Sequence, residues 1–154
     1  MINLELLQGL DDDEAGRVLA LGERITLAPG EILFCLGDSA GSVYLITRGC
    51  IRLTLPMQVR GREENVLVEE QAVGHVVGWS ALTPLHRFTL TATAPLETEV
   101  VALDRDVLDA YFAAHPETGQ VVAFNLASAI ARRLQLFQAM WVREVQRMVE
   151  SRCA

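Results

Sequence analysis

Apolar positions divide the chain into three stretches with different periods. Leu4, Leu6, Leu7 and Leu10 open it, and Val18, Leu19 and Leu21 follow the acidic run Asp11-Asp12-Asp13-Glu14. Carboxylates at that point suit the positive end of a helix dipole, with Asp11 or Asp12 as the cap. A metal site there would need a partner motif, and none accompanies the run. From Arg24 to Asp104 the pattern becomes that of short strands between turns at Pro29-Gly30, Gly37-Asp38, Gly49, Arg60-Gly61 and Gly74. Ile32-Leu33-Phe34 and Val43-Tyr44-Leu45-Ile46 read as buried strands. Ile51, Leu53 and Leu55 alternate with Arg52 and Thr54, which gives one inner and one outer face. Phe88, Leu90, Ala92 and Ala94 alternate in the same way with Thr89, Thr91 and Thr93, and Val100, Val101 and Leu103 close the sheet. The fold class expected is mainly β with flanking helices: about eight strands in a β-roll of the double-stranded jelly-roll kind.

After Asp104 the spacing is helical. Asp104 caps a short helix holding Val107, Leu108, Tyr111 and Phe112, which His115-Pro116 ends. A long helix is expected from about Pro116 to residue 150. Its apolar residues Leu126, Ile130, Leu134, Phe137, Trp141, Val145 and Met148 recur at intervals of three and four. Such a helix is roughly 50 Å long at 1.5 Å per residue, longer than a domain of this size is wide. One end must project or find a partner. The organisation expected is a single domain over residues 1–154: N-terminal helices at 1–23, a roll at 24–104, a short helix at 105–115 and the long helix at 116–150.

Composition narrows the chemistry. Of 154 residues, 51% are hydrophobic and 21% charged, which excludes disorder of the whole chain. Thirteen basic residues stand against 20 acidic ones, for a formal charge of -7. That balance argues against gripping phosphate backbones. All the basic residues are arginine, so a Schiff-base lysine, a lysine base and the P-loop lysine are excluded. No apolar run approaches the roughly 20 residues of a membrane span, and the acidic N-terminus resembles neither a secretory signal nor a transit peptide. Cys35, Cys50 and Cys153 make no CxxC, zinc or disulfide pattern. Free thiols in a cytoplasmic protein are expected, with Cys35 and Cys50 as small buried hydrophobes. His75, His86 and His115 never fall within five residues of one another, as a cupin-type metal set would require. Nor is there a nucleophile with an evident base. The expectation is a non-enzymatic module with no metal, haem or iron–sulfur cofactor.

The order helix, roll, short helix and long helix resembles the cyclic-nucleotide-binding domain, in the Crp/Fnr-like sensor form. Pro29-Gly30-Glu31-Ile32-Leu33-Phe34, Gly37-Asp38 and Val43-Tyr44-Leu45-Ile46-Thr47-Arg48-Gly49 look like that family's opening. Gly74-His75-Val76-Val77-Gly78-Trp79-Ser80-Ala81-Leu82 is similar to its phosphate-binding cassette. Leu103-Asp104-Arg105 and the stretch Asn125-Leu126-Ala127 through Ala131-Arg132-Arg133-Leu134 match the helices that follow. In such a cassette a glycine after a strand permits a sharp turn, and the free N–H groups of the next turn can face an anion. The resemblance implies that this turn holds a cyclic phosphate, that a glutamate directly after the glycine takes the ribose hydroxyl, and that a later arginine pairs with the phosphate.

This chain departs from that pattern at both side chains. Trp79 stands where the glutamate belongs, and its indole can stack on a ring or close the pocket. Phe88 falls at the arginine position, with Arg87 one residue early. A shift of one residue in a strand reverses the face, so Arg87 reaches the pocket only if the loop Thr83-Pro84-Leu85-His86 absorbs the difference. The candidate ligand residues are therefore Gly78, Trp79, Ser80, Ala81, Leu82, Arg87, Phe88 and Thr89. The ligand to test is cyclic AMP or cyclic GMP, bound weakly or in altered form. Ile130, Leu134, Phe137, Trp141 and Val145 are the expected homodimer interface. A module that docks a protein partner and binds no nucleotide is the alternative. No recognition helix precedes Cys153-Ala154, so direct nucleic-acid binding is not expected; without a spanning apolar run, membrane binding is not expected either.

Overall fold

The structure is a computed structural model that describes residues 2–153. Met1 and Ala154, the outer limits of the expected domain, lie outside the described residues. A 3-10 turn, Glu5–Leu7, leads to α1, Asp12–Leu19. Asp11 is the cap: its Oδ1 accepts the Glu14 N–H at 2.7 Å, and Asp12, Asp13 and Glu14 fill the first turn. The acidic run thus satisfies N–H groups that a helix start leaves free.

Eight strands follow: β1 Glu23–Leu27, β2 Ile32–Phe34, β3 Ser42–Arg48, β4 Cys50–Val59, β5 Arg62–Ala72, β6 Val76–Val77, β7 Thr91–Thr93 and β8 Thr98–Asp104. They form two four-stranded antiparallel sheets, ordered β1-β8-β3-β6 and β2-β7-β4-β5. This is the expected roll. Period-two burial explains it: Ile51 and Leu53 point inward, while Arg52 points out and pairs with Glu70 at 2.9 Å. Between the sheets Leu27, Phe34, Ile46, Ile51, Val77 and Val100 form one core cluster. A second cluster, including Leu6, Val18, Leu103, Leu108 and Val122, joins the roll to the helices.

Three local expectations need correction. Phe88 and Leu90 do not extend β7. Phe88 instead exchanges backbone hydrogen bonds with the preceding turn: its N–H donates to Asp38 O and its carbonyl accepts from Gly37 N–H. The Ser39–Arg87 bridge continues that pairing. Ile32 is exposed, because a register shift between Ile32 and Phe34 pairs it with Thr93, which lies opposite the outward-pointing Arg52. Cys35 is exposed too, since it starts the turn whose backbone Asp38 holds by accepting the Cys35 N–H at 3.1 Å.

Helix α2, Arg105–Ala114, is capped by Asp104, which accepts the Val107 N–H at 3.1 Å. Helix α3 runs from Pro116 to Cys153, 38 residues, or about 57 Å. Proline suits its first position, where no N–H is needed. Its first half packs on the roll and the N-terminal turn, burying Val122, Ala129 and Arg133. From Leu134 through Cys153 every residue is exposed except the half-buried Val145. No helix among the described residues is long and apolar enough to cross a membrane.

Candidate functional site

The cassette begins on β6 and turns at Gly78. That residue has φ +76°, in the left-handed region where glycine is favoured. Trp79–Leu82 then make a single 3-10 turn, with the Ala81 N–H donating to Gly78 O and the Thr83 N–H to Ser80 O. Ser80 and Ala81 are buried, and Trp79 and Leu82 are half-buried. The backbone expected of the cassette is present.

Aromatic side chains surround it. A Cβ on Gly78 would lie 3.1 Å from Phe88 Cε1, 3.1 Å from Tyr44 Cδ2 and 3.4 Å from Phe34 Cε2. The Phe34 and Phe88 rings stack at 3.8 Å between centroids, and Tyr44 stacks on Phe34 at 5.8 Å. Burial pushes the Tyr44 phenol up from its ordinary pKa. The cavity left beside the turn is ≈ 30 Å³, lined by Phe34, Leu53, Glu69, Trp79, Phe88 and Leu90 among others. Pockets that enclose drug-sized ligands run to roughly 300–1,000 Å³.

Of the predicted ligand residues, Gly78, Trp79, Ser80, Phe88 and Thr89 line this cavity, while Ala81 and Leu82 complete the turn behind it. Arg87 is not brought in. It is exposed and donates from Nη1 to Gly37 O at 3.0 Å. The loop before it is held by a hydrogen bond between Arg105 and His86, whose φ is +49°. Among the described residues no group of three His, Cys, Asp or Glu side chains is placed to hold a metal. A larger open groove, ≈ 730 Å³, lies against Leu19, Gly22 and Val101. Its cations are already paired, Arg24 with Glu99 at 3.9 Å and Arg48 with Glu97.

Glu69 was not predicted. It pairs across the hairpin with the buried Leu53, and therefore shares its inward face. Phe34 and Leu90, which line the cavity, and Tyr44, which stacks on Phe34, were also missed. Among the described residues Glu69 lines the cavity and no arginine does.

The model of the family described as the cyclic nucleotide-binding domain matches residues 24–115. The chain belongs to that family. Among solved structures it is similar to the catabolite activator protein of Thermus thermophilus, with 27% identity and a TM-score of 0.75 over 92% of this chain. It spans 63% of that protein's length. The N-terminal domain of a transcriptional regulator from Streptomyces coelicolor A3(2) is 29% identical, with a TM-score of 0.67 over 89% of this chain and 91% of that one. A cyclic nucleotide-binding domain from Methylobacillus flagellatus, 17% identical, shares the fold at a TM-score of 0.79 over 93% of this chain and 78% of that one. Comparison with curated proteins finds no match. The domain is thus of a regulatory nucleotide-binding family.

Proposed function

We propose that the chain is a regulatory module whose cassette binds cyclic AMP or cyclic GMP weakly and whose output is homodimerisation through α3. The observation that carries the first half is the Phe34–Phe88 stack over Gly78, beside a cavity of ≈ 30 Å³. A nucleotide must displace buried rings to enter, and it then meets Glu69 and Trp79 rather than a cation and a ribose acceptor. Each missing charge-assisted hydrogen bond is worth about 1.5–3 kcal/mol, or roughly 10- to 150-fold in affinity.

The exposed half of α3 supports the second half. Leu134, Phe137, Trp141 and Met148 are all exposed, with Trp141 at 68%, and their spacing of three and four aligns them with Ile130 and Val145. A parallel second copy presents the same seam, so the knobs of each helix fit the holes of the other. Analytical ultracentrifugation of the chain at tens of micromolar tests this directly: a dimer is expected, and a monomer defeats it. Titration with both nucleotides separates the ligand-binding reading from the alternative of a partner-docking module that takes no nucleotide.

A further inference from the structure

Glu69 sits on β5 opposite the buried Leu53 and lines the cavity beside Gly78, where it is half-buried. The ion pairs of the surrounding elements leave it out. Arg52 takes its neighbour Glu70 at 2.9 Å, and Arg132 and Arg133 both take Glu5, at 3.0 Å and 3.3 Å. Arg133 feels the opposite charge of Glu69, but its guanidinium bonds to Glu5 and the Val76 carbonyl and does not line the cavity. A carboxylate drawn out of water with no cation against it costs free energy. A positive charge in the cavity would offset that cost.

The rest of the lining suits the same charge. Phe34, Trp79 and Phe88 supply aromatic surface, and a cation over a ring face is attracted by the ring's quadrupole. Ser80, only 4% exposed, adds a polar residue to the wall. A single water needs about 10–15 Å³, so the ≈ 30 Å³ here admits one or two atoms of that size without moving a ring. Ammonium and methylammonium have those dimensions.

We propose that this cavity is a binding site for a small ammonium-type cation, with Glu69 as its counter-charge and Phe34, Trp79 and Phe88 as its walls. The proposal rests on the cassette being the domain's ligand site. It assigns that site a ligand class opposite in charge to a cyclic nucleotide.

Nuclear magnetic resonance of the two indole N–H groups tests it, because Trp79 lines the cavity and Trp141 is exposed on α3. Trp141→Phe assigns the two signals. A ligand of two heavy atoms binds at millimolar strength or weaker, so methylammonium chloride is titrated to about 100 mM, against sodium chloride at equal ionic strength. The Trp79 signal should move saturably and the Trp141 signal should not. Methanol, of the same size but uncharged, should leave both in place. Glu69→Gln should weaken the response at least about tenfold. Glu70→Gln should not, since Glu70 pairs with Arg52 and does not line the cavity. No saturable shift, an equal shift with methanol or sodium chloride, or an undiminished shift in Glu69→Gln overturns the proposal. The methanol comparison needs no variant, so it decides the matter even if Glu69→Gln does not fold. Cyclic AMP and cyclic GMP on the same signals report separately on the cassette. A shift with either nucleotide and none with methylammonium refutes the cation site and keeps the cassette as a nucleotide site.

Discussion

Phe88 is buried beside Gly78 and stacks on Phe34. Its position in the alternation with Leu90, Ala92 and Ala94 already pointed it inward and Arg87 outward, and the structure places both residues that way. The ring stack beside Gly78 was not legible, because it depends on Phe34 and Tyr44 arriving from other strands. Glu69 was hidden for another reason. A bulge opposite the Leu53–Thr54 step changes which β5 residues face inward, so Glu69 and Val66 share the inner face while Leu67 points out. A strict period of two cannot show that. Phe88→Ala should cost about 3–5 kcal/mol of stability, as for other buried aromatics, measured by urea unfolding. A cost below about 1 kcal/mol would mean the ring is not core. Arg87→Ala, by contrast, should leave both stability and nucleotide affinity unchanged, since its side chain is exposed and bonds only to a surface carbonyl.

At the level of elements, the helix caps and the projecting helix were readable, but the contacts that join the helices were not. Glu14 was expected only to lie in the first turn of α1. In the structure it also accepts hydrogen bonds from Tyr111 OH on α2 at 2.6 Å, from Thr118 Oγ1 on α3 at 2.9 Å and from Arg17 Nε at 2.9 Å. These partners lower its pKa from 4.5 to about 2, the tyrosine most. A folded-state pKa below the unfolded value stabilises fully above the unfolded value and loses that contribution as pH falls through the folded one. The junction of α1, α2 and α3 should therefore weaken between about pH 4.5 and 2. Tyr111→Phe should flatten that part of a pH–stability curve followed by circular dichroism, and an unchanged curve would contradict the assignment. On α3, Trp141→Glu puts a charge in the centre of the seam. Buried aromatic anchors are worth about 2 kcal/mol or more, so dimerisation should weaken at least about 30-fold, read by sedimentation equilibrium.

For the molecule as a whole, strand spacing, turn residues and the change of period after Asp104 were enough to give the roll and its helices. Each of those signals is local in the sequence. Long-range relations were not available: the wedge of the N-terminal turn between Gly74 and Asn125, the Glu5–Arg133 pair, and the stacking of three rings on one glycine. We propose that this domain keeps the backbone of a cyclic-nucleotide site while its own side chains fill it. Isothermal titration calorimetry with cyclic AMP and cyclic GMP tests that most directly. The predicted result is no measurable binding, or a dissociation constant above about 10 µM, for both nucleotides. Submicromolar binding of either one by the unmodified chain would contradict it.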